Sequence, residues 1–456
     1  MKAEENERIT RTGPGTPAGE WMRRYWQPVA LAEELESERP LASARVLGED
    51  LVVFRDDRGK LGLIERRCAH RGADLAYGRL EDGGLRCYFH GWLFSATGAC
   101  LETPAEPAES RLKERVCLRS YPVVERNGIL WGYLGPASPP PLPPLDCFRA
   151  PDAYTFAFKA VWECNWLQAL EVGIDPAHTS YLHRFVVDDD PNDSYGKQFR
   201  SVSIGGEAPL TKIMRDYVRP DITVEHTPYG LRITSVRRLG EDGEAMHLRV
   251  THQVFPHGFV IPLSPTMTIT QWHVPIDDTS CYWYAMFTSM DAPVDKAEMR
   301  RQRIAEVTLP EYRPILNRHN RYGFDPANQR TLTYTGLGPE VNTQDQMAVE
   351  GQGPIHDRTR EHLGRTDKAI IAYRRGLLQA IDAVERGERP LFAAEALSAE
   401  IADAVVPFDG ITRDADWEGF AKRLIARQRA LTSWRAADEG QPDGAARPLD
   451  PADVGT

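Results

Sequence analysis

The sequence predicts an α+β protein: a small all-β domain near the N-terminus, followed by a larger domain built on a large antiparallel sheet. Three observations predict it. Residues 42–135 break into short apolar runs separated by turn residues, the pattern of short strands. The stretch GPASPPPLPPL, residues 135–145, carries six prolines and marks a boundary. Residues 199–290 alternate with period two, as strands do when one face is buried. With 456 residues, 41% of them hydrophobic and 27% charged, the chain has enough material for two or three domains with sizeable cores.

Each element follows from local chemistry. LVVFRDDRGKLGLIERRC turns at Asp56-Asp57-Arg58-Gly59, YFHGWLFSATGACLETP turns between Ser95 and Gly98, and VERNGILWGYLG repeats the pattern. All three read as β-hairpins. The proline segment supports neither a helix nor a central strand and reads as a semi-rigid connector. Residues 162–184 read as a broken helix. LRITSVRRL, HLRVTHQVF, TMTITQWHVPI and CYWYAMF supply the alternating strands. Residues 366–386 space Ile370, Ile371, Leu377, Leu378 and Ile381 as one helix face, with Thr366 as the expected N-cap. The polar, proline-rich end, ADEGQPDGAARPLDPADVGT, is expected to be mobile or wrapped over a neighbour.

Charge and cysteine usage narrow the function. Fifty-five Lys and Arg against 66 Asp and Glu leave a formal charge of −11, which disfavours nucleic acid and anionic membrane surfaces as partners. No apolar run approaches the ~20 residues of a membrane span. The start, MKAEENERITRTGPGTPAG, has no apolar core of a secretory signal. Seven cysteines, an odd number, favour reduced thiols and metal ligation over a disulfide framework. Cytoplasm is the expected location.

Two constellations carry chemistry. The first is CAHRGADLAYGRLEDGGLRCYFHGW: Cys68-x-His70, sixteen residues, then Cys87-x-x-His90. Zinc fingers pair Cys with Cys and His with His. Here each half supplies one thiolate and one imidazole, which suits a [2Fe–2S] cluster whose irons differ, two Cys on one and two His on the other. Replacing thiolates by neutral imidazoles eases reduction, into the range of roughly −150 to +300 mV. Cys100, Cys117, Cys147, Cys164 and Cys281 show no such spacing and are expected as buried small hydrophobes.

The second is CNWLQALEVGIDPAHTSYLHR, with Asp175, His178 and His183. Two histidines and one carboxylate leave three positions open on a non-haem Fe(II) centre. On a regular helix His178 and His183 would lie about 140° apart, so the helix must break. Gly173 and Asp175-Pro176 provide the break, with Asp175 able to cap a new helical turn. Spacing alone leaves the third ligand open among Glu171, Asp188, Asp345, Glu350, Asp357 and Asp367. His356 and His362 are expected at the surface. An electron carrier needs only about a hundred residues, so the remaining chain argues for a second activity.

The Cys-His motif closely resembles that of Rieske [2Fe–2S] domains. N-W-L-x-x-x-E followed by D-x-x-H-x-x-x-x-H resembles the mononuclear-iron segment of Rieske non-haem iron oxygenase α subunits, which hydroxylate aromatic rings. NTQDQMAVEGQGPIHDRTREHLG and RITRTGPGTPAGEWMRRYWQPVAL resemble their phthalate-dioxygenase branch. The resemblance implies an all-β Rieske domain and a helix-grip catalytic domain. It implies Cys68, His70, Cys87 and His90 as cluster ligands, and His178, His183 and Asp345 as iron ligands. Asp175 would hydrogen-bond a ligating histidine of its own chain and a Rieske histidine, His90 or His70, of a neighbouring chain, so that electrons cross a subunit interface. Glu350 and Gln352 would either support the site or lie at the subunit interface. The expected layout is an N-terminal segment 1–40 packing on the catalytic domain, the Rieske domain 41–135, a linker 136–150, the catalytic domain 151–435 and a tail 436–456.

What the resemblance implies for function is a terminal oxygenase using O2 and electrons from a flavin and iron–sulfur reductase fed by NAD(P)H. The expected substrate is an aromatic carboxylate, undergoing cis-dihydroxylation or monooxygenation, with O-demethylation of an aryl ether as the alternative. A homotrimer or stacked trimers would follow from the relay. A substrate carboxylate would call for an arginine; Arg200, Arg215, Arg232, Arg237 and Arg249 are candidates. Trp92 is expected in core packing and Tyr88 in docking or shielding.

Overall fold

Turn chemistry builds the N-terminal domain. Asp82-Gly83 and Asn127-Gly128 take left-handed φ throughout, 54° and 75°, 50° and 80°, the two-residue connection whose twist suits a hairpin. They join Arg79–Glu81 to Gly84–Arg86 and Val123–Arg126 to Ile129–Tyr133. Asp56 closes a third hairpin by accepting the backbone N–H of Arg58 and Lys60 at 2.9 and 2.8 Å. Three small antiparallel sheets result, of three, three and four strands. This computed structural model describes residues 1–136, 138–188, 210–241, 243–389, 398–413, 416–432 and 434. The tail 436–456 and Arg200 lie outside them.

Eight strands form the second domain's sheet: β1 (Thr155–Trp162), β2 (Asp221–Thr227), β3 (Gly230–Leu239), β4 (Ala245–Val254), β5 (Gly258–Ser264), β6 (Met267–Pro275), β7 (Cys281–Ser289) and β8 (Phe408–Thr412). The order is β1-β7-β6-β5-β4-β3-β2, and β8 pairs with β4. From β2 to β7 the sheet is a meander, each strand paired antiparallel with the next. The alternation read from sequence is real: in β3, Ile233 and Ser235 point inward and are 1% exposed.

Helices cover the sheet. α1 (Trp166–Gly173) is capped by Asn165, whose side chain accepts from Leu167 N. α2 (Val341–Glu350) is capped by Glu340. The long α3 (Lys368–Glu385) packs against β2 and β3, burying Leu377 and Ile381. Its cap differs from the expected Thr366. A single 3₁₀ turn, Arg365–Asp367, precedes it, and Asp367 closes that turn by accepting Gly364 N at 2.6 Å. Among the five other cysteines, Cys117 is exposed, contrary to expectation. It sits on an isolated bridge to Ala99, outside the sheets.

The first forty residues divide between the domains. The helix Ala3–Thr10 ties to α3 through Arg8, which reaches Asp382 at 2.8 Å and Glu385 at 2.6 Å. The strand Trp26–Leu31 instead pairs with Ile129–Tyr133 in the N-terminal domain. The proline segment lies over this strand, with Pro140 O accepting from Trp26 Nε1 at 2.7 Å.

One buried ionic cluster joins α1 to α3. Glu171 accepts from Arg374 Nε and Nη2 at 2.6 and 2.9 Å and from Arg358 Nη2 at 3.0 Å. Despite burial, the two guanidinium groups hold its carboxyl below the usual range. A depressed carboxyl stabilises the fold fully above its unfolded pKa, near 4.3, and progressively less as pH falls through the folded value. Glu171→Gln should therefore destabilise the protein at pH 7 by about 1.5–3 kcal/mol, because Arg358 loses its carboxylate while Arg374 keeps Glu361 at 2.9 Å. Denaturant midpoints should show this loss at pH 7 and a narrowing gap from wild type below about pH 4.

Candidate metal centres

Two loops of the N-terminal domain repeat one construction. Cys68 N donates to Ala73 O at 2.8 Å and Gly72 N to Cys68 O at 2.8 Å; Cys87 N donates to Trp92 O at 2.8 Å and Gly91 N to Cys87 O at 3.0 Å. Each loop thus closes five residues after its cysteine. Gly72 and Gly91, four residues after, take φ of 70° and 74°, a region where a side chain costs about 1–2 kcal/mol. The two sulfurs sink into the apolar cluster of Phe54, Leu75, Leu85 and Phe94, while His70 is exposed and His90 half-buried. The imidazole rings stand 4.5 Å apart. Burial, with the neighbouring Cys87, pushes the Cys68 thiol up to about 11. Trp92 is buried, as expected of a packing residue, and also stacks on His70 at 4.6 Å with planes 6° apart. Tyr77, Tyr88 and Phe89 form an exposed aromatic collar around the tip.

The second constellation starts where α1 breaks. Ile174 leaves helical geometry, and Asp175 Oδ1 accepts Ala177 N at 2.7 Å. One 3₁₀ turn, His178–Ser180, comes next. This break, not a regular helix, brings His178 and His183 together. Their Nε2 atoms face each other at 3.2 Å. Asp345, on α2, places Oδ1 at 3.3 Å from His183 Nε2 and 3.8 Å from His178 Nε2. Among the described residues they are the only group of three or more His, Cys, Asp or Glu side chains whose ligand atoms all lie within 4.8 Å of one another. Asp345 Oδ1 is shielded from solvent and makes no hydrogen bond among the described residues. A buried carboxylate oxygen without a partner is costly, and a cation between it and the two nitrogens removes that cost, so the donor set fits a metal.

The other carboxylates are engaged elsewhere. Glu171 belongs to the arginine cluster above. Asp188 pairs with Arg215 at 2.6 Å. Glu350 accepts from Tyr322 Oη at 2.7 Å and from Glu163 N at 2.8 Å. Asp357 caps the turn Arg358–Arg360, and Asp367 closes the turn before α3. His362 is exposed. His356 is only half-buried, bonded to Glu361 at 3.0 Å, so the surface expectation holds for the first alone. The Asp175 side chain does not bond His178: Oδ2 is 3.9 Å from Nδ1, and the Asp175 backbone carbonyl takes that nitrogen at 2.5 Å.

A cavity of about 170 Å³ opens over the triad, walled by side chains such as Val172, Met214, Ile233, Phe259 and Leu263. Two arginines line it. Arg249 pairs with Asp409 at 3.1 Å. Arg237, fully buried, makes no ion pair among the described residues, although the carboxylates of Asp409 and Asp175 act on it from further off. Its Nε donates to Tyr217 O at 3.0 Å and its Nη2 to Pro176 O at 2.9 Å, while Nη1 has no partner among the described residues. Burial, then the neighbouring Arg249, pushes this guanidinium down to about 10. Arg215 and Arg232 pair with Asp188 and Glu225. Sequence reasoning could not choose Arg237. The usable signal was its phase, since Ile233, Ser235 and Arg237 share one face of β3.

The family model "Rieske [2Fe-2S] domain" matches residues 25–122, and "LigXa C-terminal domain like" matches residues 132–434. The chain belongs to the Rieske non-haem iron oxygenases, in the branch of the phthalate dioxygenase oxygenase subunit. It is 33% identical to the phthalate 4,5-dioxygenase oxygenase subunit of Pseudomonas putida over 93% of this chain and 96% of that one. It is 32% identical to the 5,5'-dehydrodivanillate O-demethylase oxygenase subunit of a Sphingobium species, over 97% and 95%. The fold is similar to that of Pseudomonas putida CBB5 NdmA, with a TM-score of 0.52 and 18% identity, over 88% of this chain and 99% of that one. As a Rieske oxygenase the chain uses a [2Fe–2S] cluster, mononuclear iron and O2. No described helix is long and apolar enough to cross a membrane.

Proposed function

We propose that this Rieske oxygenase is a terminal oxygenase that hydroxylates an aromatic carboxylate, with His178, His183 and Asp345 holding iron and Cys68, His70, Cys87 and His90 holding the cluster. The observation that carries the reading is the convergence of two imidazole nitrogens and an unpartnered carboxylate oxygen beneath an apolar cavity. When bound, the iron activates O2 and the cluster supplies electrons singly. The chain's own residues do the rest. The apolar wall of Val172, Ile233, Phe259 and Leu263 receives a ring and excludes water. The backbone carbonyl of Asp175 holds Nδ1–H of His178 and leaves Nε2 bare for the metal.

Arg237 is the anchor for the carboxylate. A buried guanidinium with a donor that meets no partner and no ion pair among the described residues is satisfied by an anion delivered into the cavity. Asp175 is the bridge to a second copy. Its Oδ2 makes no bond to His178, and its side chain is 20% exposed. The exposed rings of Tyr77, Tyr88 and Phe89, with Phe89 4.0 Å from His90, support coverage of the tip by a partner, in a homotrimer or stacked trimers. A flavin and iron–sulfur reductase using NAD(P)H would supply the electrons, in the cytoplasm. The O-demethylase relative favours a second reading, removal of a methyl group from an aryl ether. ¹⁸O₂ product analysis across aromatic carboxylates and their methyl ethers separates the two.

Three measurements test the reading. Wild-type protein should hold about three irons and two acid-labile sulfides per chain, and Asp345→Ala about two of each; unchanged iron in that variant removes Asp345 from the site. Asp175→Asn should keep both centres yet form little product in a single turnover of reduced protein; a normal yield refutes the bridge. Arg237→Gln should raise KM for a carboxylate about 10- to 100-fold, the worth of a charged hydrogen bond of about 1.5–3 kcal/mol, with little change for the matching carboxamide.

A further inference from the structure

The two histidines of the triad are held in different ways. His178 is fixed by a backbone carbonyl, which no side-chain change removes. His183 depends on a side chain: its Nδ1 lies 2.8 Å from Gln344 Oε1. Gln344 is 1% exposed and sits on α2 next to Asp345. Its amide has a second contact, Nε2 to Gly338 O at 2.7 Å.

We infer that Gln344 sets the tautomer of His183, as a positioning residue, and thereby presents its Nε2 to the iron. A backbone carbonyl can only accept, so Gly338 O fixes which end of the Gln344 amide is nitrogen. The oxygen end therefore faces His183. An amide oxygen also only accepts, so Nδ1 carries the imidazole proton. In a neutral imidazole the other nitrogen is then bare, and that atom is Nε2, which points at Asp345 Oδ1 and at His178 Nε2. Gly338, Gln344 and His183 form a chain of fixed polarity whose last member is a lone pair. α2 thus carries one ligand, Asp345, and beside it the group that prepares another.

This inference rests on the reading of His178, His183 and Asp345 as metal ligands. The test uses full-length protein with its cluster intact and the mononuclear site emptied of iron, titrated with Co(II) and followed by the visible ligand-field bands. Wild type, Gln344→Leu and Gln344→Glu are compared. Leucine removes the acceptor and should weaken Co(II) binding about 10- to 100-fold. Glutamate still accepts from Nδ1 but cannot donate to Gly338 O when ionised, and should bind within about threefold of wild type. If Gln344 merely braced α2 through Gly338, both variants would lose affinity alike. Leucine binding as tightly as wild type, or glutamate weaker by more than about threefold, overturns the inference. Cluster absorbance reports folding; should the leucine variant lack it, glutamate decides by the same threefold limit. Failure of wild type to take up Co(II) would instead overturn the ligand reading itself.

Discussion

Three electron-pair donors held against one another are the constraint on which the rest of this structure depends. Two imidazole nitrogens and a carboxylate oxygen repel in a dry interior, where water does not screen them. The fold must hold their backbones together before any cation arrives. It does so with bonds between the ends of α1 and α2. Gln168 Nε2 donates to Val349 O at 2.8 Å and to Gly353 O at 2.7 Å. Asn165 N donates to Pro354 O at 2.8 Å. The Glu171 cluster then pins α1 to α3 from the other side. The two histidines come from beyond the end of α1, where a chain leaving a helix can turn its side chains back across the break, and Asp345 meets them from the middle of α2.

The two centres differ in exposure in the way their tasks differ. The two Cys-His pairs proposed as cluster ligands sit at the tip of two matched loops, sulfurs inward and imidazoles outward, with His70 reachable from outside. The triad lies at the floor of a cavity walled by the sheet. Electron entry asks for an edge near the surface, whereas oxygen chemistry asks for shelter. One chain supplies both by placing hairpin loops in one domain and an interrupted helix in the other.

Much of this was legible in the residues. The hairpins around Asp56 and Asn127 announce themselves by turn chemistry, and the sheet by alternation. The break at Gly173 to Pro176 was required by the angle between His178 and His183 and is present. Asp345 could be reached only through family resemblance, since it comes from a segment far along the chain. Contacts of that span leave no local pattern. Arg237 was one of five equal candidates because alternation tells which face a residue occupies and not which partner it lacks. That Asp409 pairs with Arg249 and not with Arg237 is a property of packing. Thr366 failed as a cap because Asp367 could close a tighter turn first. Cys117 failed as a core residue because its bridge to Ala99 lies outside the sheets.

That no described residue meets Nη1 of Arg237 would bear on which guests the cavity admits. An unsatisfied ionic donor deep in the interior makes the resting state the uncomfortable one. A neutral ring entering the cavity would inherit that discomfort and relieve none of it. Discrimination between guests would then be written into the host's own discontent, ahead of any fit between shapes.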